Sequence, residues 1–129
     1  MARPPSEYPT ELELAILKTL WREAPRTVEA VRETLAAEGR ELSHSSVITM
    51  LNIMVRKGYV ERTRNGRAFE FTPLIQEDEV GRGMVNDLVT RVFDGSASTL
   101  MLRLLETSDV DARELAEIRK LIQKAARKA

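Results

Sequence analysis

Apolar residues in the first half of the chain recur at intervals of three and four, the spacing that gathers them on one face of an α-helix. Leu14, Leu17 and Trp21, with Ile16 and Leu20 alongside, make the first such face. Thr10-Glu11-Leu12-Glu13 opens it as a capping box, in which the hydroxyl and the Glu13 carboxylate each satisfy an orphan backbone N–H. Ala24-Pro25 ends the helix, because proline cannot continue it. Thr27 caps a second helix with Glu29 in its first turn; Val28, Val31 and Leu35 line its inner face, and Gly39 stops it. A third helix starts near Ser43 and stops at Gly58. Its Val47, Met50, Leu51, Met54 and Val55 face inward, which leaves His44, Ser45, Ile48, Thr49, Asn52, Ile53 and Arg56 nearer the outside.

The period then changes. Residues 59–64 and 67–72 are β-prone runs flanking Asn65-Gly66, a pair that favours a type I′ hairpin because both central residues need positive φ. That register pairs Val60 with Phe71 and Arg62 with Phe69, and it sets Glu61 opposite Glu70, a mild repulsion. Three helices followed by a hairpin form a winged helix-turn-helix. After Pro73 the helical period returns over residues ~77–93, ~97–107 and from Asp111 onward. The predicted fold is therefore mostly α with a small β-hairpin. It comprises a flexible proline-rich arm over residues 1–9, a winged helix-turn-helix domain over 10–73 and a three-helix dimerisation region over 76–129. About 50 residues of amphipathic helix make a marginal core alone. The stripes of Val85, Leu88, Val89, Val92, Phe93, Leu100, Leu104, Leu105, Ile118 and Ile122 are expected to be buried against a second copy.

Composition narrows the chemistry. The chain has 129 residues, no cysteine and one histidine, which excludes a disulfide scaffold, thiolate metal sites, a cysteine nucleophile and every two-histidine ligand set. No phosphate loop or paired catalytic carboxylates are present, so neither an enzyme nor a cofactor is expected. No run of ~18 apolar residues and no signal-peptide core appear, and a cytoplasmic protein with no membrane association is the expectation. The formal net charge is zero, with 20 Lys+Arg against 20 Asp+Glu. That average hides a distribution. Residues 10–41 carry an acidic excess, whereas residues 42–67 hold Arg56, Lys57, Arg62, Arg64 and Arg67 against Glu61 alone.

This basic island falls on the two elements that a winged helix presents to DNA. The first turns of a recognition helix approach the base edges of the major groove. His44, Ser45, Ser46 and Thr49 are placed there, Asn52 can pair bidentately with an adenine edge, and Ile48 can meet a thymine methyl. Arg56, Arg62, Arg64 and Arg67 are candidates for phosphate or minor-groove contacts. A dimer doubles the island, and its two-fold axis calls for a pseudo-palindromic operator in double-stranded DNA. The competing reading is a protein-interaction adaptor built on a winged helix, supported by the neutral total charge and by Ile48 and Ile53 on the outer face.

The chain resembles the penicillinase-repressor family of bacterial regulators, the BlaI/MecI type with its copper-responsive CopY relatives. The resemblance covers roughly residues 9–124 and rests on Thr10-Glu11-Leu12-Glu13 through Leu20-Trp21, Pro25-x-Thr27-Val28 and Ser45-Ser46-Val47-x-Thr49-Met50-Leu51. It continues through Lys57-Gly58-Tyr59-Val60, Gly66-Arg67-Ala68-Phe69-x-Phe71-x-Pro73 and Phe93-Asp94-Gly95-Ser96. It implies a dimeric winged-helix repressor that sits on a promoter operator. In the β-lactam branch a regulatory protease releases the repressor by cutting an Asn-Phe pair, where this chain reads Arg103-Leu104. The copper branch ends in a cysteine motif that this chain lacks, and Ile53 stands where many relatives have a basic residue. Neither inducer carries over.

Overall fold

The structure, a computed structural model, describes residues 8–129, so most of the arm expected over residues 1–9 lies outside the described residues. Helices α1 (Glu11–Arg22), α2 (Val28–Ala37) and α3 (His44–Arg56) are joined by the two-residue strand β1 (Arg26–Thr27) and a short turn. Strands β2 (Val60–Asn65) and β3 (Ala68–Pro73) form the wing. Helices α4 (Glu77–Val92), α5 (Ala97–Thr107) and α6 (Ala112–Lys128) complete the chain. The expected Thr10 and Thr27 caps are in place, their hydroxyls accepting from the backbone N–H three residues on, and the Ser43 hydroxyl and the Asp111 carboxylate cap α3 and α6 in the same way. The chain divides into two compact units between Val85 and Asn86, inside α4.

In the first unit, Ile16, Leu17, Leu20, Val31, Leu35, Val47, Leu51, Met54, Val60 and Phe71 are buried together. The inward faces of α2 and α3 match the sequence periodicity, with Met50 and Val55 at the half-buried margin; on α1, Ile16, Leu17 and Leu20 are buried and Trp21 packs beside them, whereas Leu14, expected on that face, is half-buried and outside the core cluster. Two attachments were not visible in the sequence. Trp21 Nε1 donates to the Ile75 carbonyl at 2.9 Å, tying the end of α1 to the segment that leaves the wing. Tyr8 lies against Gly83 on α4, where a Cβ would come within 2.7 Å of the ring. Glycine is what permits that approach.

The wing corrects the expected register. Asn65 pairs with Ala68, Arg64 with Phe69, Thr63 with Glu70, Arg62 with Phe71, Glu61 with Thr72 and Val60 with Pro73. The central turn residues are therefore Gly66-Arg67, with φ +66° at Gly66, the glycine-first pattern of a type II′ turn. Electrostatics favours this choice. The Asn-Gly turn would set Glu61 against Glu70 and Arg64 against Arg67, whereas the observed turn opposes no like charges. A slip of two residues also preserves which side chains share a face, so Val60 and Phe71 still reach the core. Strand β1 adds a third strand on the far side of β3, through Arg26↔Phe71 and Thr27↔Glu70. Two residues are too short to show a period, which is why the sequence pattern did not reveal them.

One buried carboxylate joins the first and last parts of this unit. Glu13 is 1% exposed. Its Oε1 accepts from the Thr10 backbone N–H at 2.8 Å, completing the capping box, and its Oε2 accepts from Lys57 Nζ at 2.8 Å. Burial by itself would raise the Glu13 carboxyl, but the bonds from Lys57 and Thr10 outweigh it and hold the group below the ordinary carboxylate range. A depressed carboxyl stabilises the fold above its unfolded pKa and loses that contribution as pH falls through its folded value. Glu13→Gln is expected to cost about 1.5–3 kcal/mol at neutral pH. It is also expected to flatten the acid limb of stability below pH ~4.5. Urea melts of the two proteins from pH 7 to pH 3 measure both; parallel curves would remove the ion pair from the account.

Candidate nucleic-acid interface

The exposed side of α3 is shaped by its own cap. Ser43 Oγ accepts from the Ser46 backbone N–H at 3.1 Å and donates to Ser46 Oγ at 2.9 Å, and it lies 3.3 Å from Ser45 Oγ. His44, Ser45, Ser46, Thr49 and Arg56 are exposed along the helix. Beside them runs an open groove of about 460 Å³ with Leu12, Leu42 and Met50 as its floor and Ser45, Ser46 and Thr49 as its rim. Hydroxyl groups over a shallow apolar groove suit a sugar–phosphate strand, since they donate to phosphate oxygens with little steric bulk.

The wing continues this surface. Arg62, Arg64 and Arg67 are exposed. Arg62 occupies the position after buried Val60 on the helix-facing side of β2 and extends to α3, where Nη1 donates to Asn52 Oδ1 at 3.0 Å. Its guanidinium also stacks 4.7 Å from the centre of the Phe69 ring, which Arg64 approaches at 5.8 Å. Arg64 Nε donates to the Gly66 carbonyl at 3.2 Å, bracing the turn. On the other face, Asn65 Nδ2 donates to Glu70 Oε1 at 3.0 Å. The arrangement is a basic edge braced by cation–π contacts rather than a loose hairpin.

Three assignments change with the tertiary structure. Ile48, expected on the outer face, is half-buried and packs against the core, because α3 turns that position toward its neighbours. Lys57 turns inward to Glu13, so the outward cations are Arg56, Arg62, Arg64 and Arg67. Asn52 does not stand alone: its carbonyl oxygen is engaged by Arg62. Phe69 was not singled out as a site residue, although its alternation with Phe71 already placed both on one strand face. The remaining expected contacts, His44, Ser45, Ser46, Thr49, Asn52, Arg62, Arg64 and Arg67, fall on α3 and the adjoining wing.

The second unit presents a different surface. Val92, Leu104, Leu105, Ile118 and Ile122 are each 40–61% exposed, and Met101, Leu102, Leu115 and Leu121 are comparably open. Leu88, also in this unit, and Val85, at the end of the first, are exposed; Val89, Phe93 and Leu100 are half-exposed. No residue from Asn86 to Ala129 is buried.

A family model described as penicillinase repressor matches residues 9–124. The transcriptional regulator BlaI of Mycobacterium tuberculosis is 33% identical over 115 residues, covering 84% of this chain and 83% of its own. The penicillinase repressor of Bacillus licheniformis is 24% identical over 115 residues, 88% of each chain. Among solved structures, RosR of H. salinarum aligns over 97% of this chain and 100% of its own with a TM-score of 0.50 and 21% identity, a likeness of fold.

The contact between α2 and α3 has a measurable electrostatic signature. Glu29 accepts from Arg32 Nε at 2.9 Å and again from Nη2, and its second oxygen lies 3.4 Å from His44 Nδ1. The Arg32 hydrogen bonds are the main reason the Glu29 carboxyl is lowered to about 2. Glu29 therefore stays ionised beside the first residue of α3 throughout the physiological range. Carboxyl-detected NMR should place its midpoint near 2 and move it toward 4.5 in Arg32→Ala. A midpoint unmoved by that substitution would assign the shift to another partner.

Proposed function

The chain belongs to the penicillinase repressor family, and we infer that it does what that family does: it is a DNA-binding transcriptional repressor. The observation that carries this reading is the coincidence of Arg56, Arg62, Arg64 and Arg67 with the exposed faces of α3 and the wing in a chain of zero formal net charge. Helix α3 enters the major groove with His44, Ser45, Ser46, Thr49 and Asn52 toward the base edges and near phosphates, and the wing lies along the backbone. The apolar support for an adaptor role weakens at Ile48, which faces the core. Among the described residues, no helix is long and apolar enough to cross a membrane. An operator-bound repressor works where the chromosome is, in the cytoplasm. No catalytic step is assigned to it.

The repressor acts as a homodimer joined through residues 76–129. Burial of a large aliphatic side chain contributes about 1.5–3 kcal/mol relative to exposure. A unit whose leucines and isoleucines remain largely in water forgoes that stabilisation, and a second copy supplies the missing surface. Stripes on α5 and α6, containing Leu104, Leu105, Ile118 and Ile122, form the centre of the interface, with Val85, Leu88, Val89, Val92, Phe93 and Leu100 extending it. The two-fold axis then sets two copies of α3 on a pseudo-palindromic operator.

Two measurements test this reading. Arg64→Ala and Arg67→Ala should each weaken selected and random duplexes alike and reduce the salt slope of binding by about one unit. An unchanged slope in both would take the wing off the DNA. Leu104→Glu and Ile118→Glu replace residues that are 49% and 40% exposed, so each is compatible with the single-chain fold. Each should sediment as a monomer and bind its duplex at least about tenfold more weakly, since one half-site no longer recruits the other. A variant that still sediments as a dimer would place the interface elsewhere.

A further inference from the structure

The last helix carries a set of cations separate from those of α3 and the wing. Helix α6 holds Arg113, Arg119, Lys120, Lys124, Arg127 and Lys128, and no carboxylate follows Glu117 within it. Arg113, Lys120, Lys124 and Arg127 follow one another at intervals of seven, four and three residues. At 3.6 residues per turn they share an arc of about 60° and form a stripe about 21 Å long. Leu115, Ile118 and Ile122 fall on the opposite side of the same helix. A second copy that covers those apolar residues leaves the cations facing outward.

The pattern of ion pairing sets this stripe apart. Among the described residues, arginines outside two places each lie within 4.0 Å of a carboxylate, from Arg22 with Glu38 on α1 to Arg103 with Glu106 on α5. One exception is the group Arg56, Arg62, Arg64 and Arg67 on α3 and the wing; the other is Arg113, Arg119 and Arg127 on α6. Lys120 and Lys124 are also exposed without an ion pair, and neither Glu114 nor Glu117 pairs with any cation of α6. A paired cation must give up its carboxylate before it meets another anion. An unpaired exposed one displaces only water and, from DNA, condensed counterions. Duplex DNA presents one negative charge per about 1.7 Å of its axis, a linear array that a straight row of cations complements. Lysine suits such a contact, because an ammonium on a flexible stem meets a phosphate without demanding one orientation.

We propose that the cationic stripe of α6 is a second DNA-contacting surface, which grips the phosphates of duplex DNA without reading bases. It rests on the chain being a DNA-binding repressor. The stripe adds affinity that is independent of sequence and leaves discrimination between bases to α3.

The test uses the full-length protein, a selected duplex and a long random-sequence duplex, with fluorescence anisotropy across a salt series. The triple substitution Lys120→Gln, Lys124→Gln and Arg127→Gln keeps good helix formers and leaves the apolar side untouched. It should lower the salt slope on both duplexes by at least about two units and weaken each by about tenfold or more. The ratio of selected to random affinity should stay the same, and the protein should still sediment as a dimer. A second triple, Arg82→Gln, Arg91→Gln and Arg103→Gln, removes the same charge from paired sites and should leave the slope unchanged. Equal losses in the two triples would reduce the effect to net charge and overturn the proposal. So would an unchanged slope in the α6 triple, including one in which the substitutions instead release the protein from vesicles of anionic lipid. An α6 triple that sediments as a monomer would place these cations in the subunit interface and overturn it as well. If Arg64→Ala and Arg67→Ala lower the slope where the α6 triple does not, the repressor reading stands without this surface. Failure of the unsubstituted protein to retard any duplex would remove both.

Discussion

The helical core is organised around a carboxylate that has no access to water. Glu13 closes the capping box at the start of α1 and holds Lys57 at the end of α3, so one side chain satisfies an orphan N–H and an ammonium 44 residues away. A buried charge is tolerated only when its lone pairs are filled. That requirement constrains the relation of α1 to α3 more narrowly than apolar packing does, because hydrophobic contacts are non-directional and hydrogen bonds are not. The end of α3 leads through Gly58 directly into β2, so the same bond helps orient the strand that carries the wing arginines.

The wing shows how charge and turn chemistry compete. Asn65-Gly66 is a strong hairpin signal, yet the turn forms at Gly66-Arg67, where one positive φ suffices. The observed pairing replaces two like-charge oppositions with Glu61↔Thr72 and Arg64↔Phe69. It also opposes Arg62 to Phe71 with Phe69 next along the same face, the arrangement from which the contact with Asn52 follows. A local choice at the turn is therefore expressed some distance away, on α3.

The two units meet opposite demands. The first buries its apolar residues within one chain and leaves a compact set of cations outside; the second leaves its apolar residues open. A neutral total charge limits non-specific attraction to DNA, so the local cluster of cations left outside the first unit counts for more than the total.

Helix positions, the Thr10 and Thr27 caps and most of the inward faces of α1, α2 and α3 were legible in the amino-acid order, because apolar period and capping are local rules read within a few residues. The basic island was legible for the same reason once charge was read by segment. Other features required the fold. Strand β1 is too short to carry a period, and the register of β2 on β3 depends on which side chains face each other across strands. The inward turn of Lys57, the burial of Ile48 and the clasp of Arg62 on Asn52 link residues from separate elements. Sequence alone determined which residue types were available to meet DNA. Tertiary structure decided how those side chains are held, because a hydrogen bond made within the protein fixes the orientation of the groups that make it.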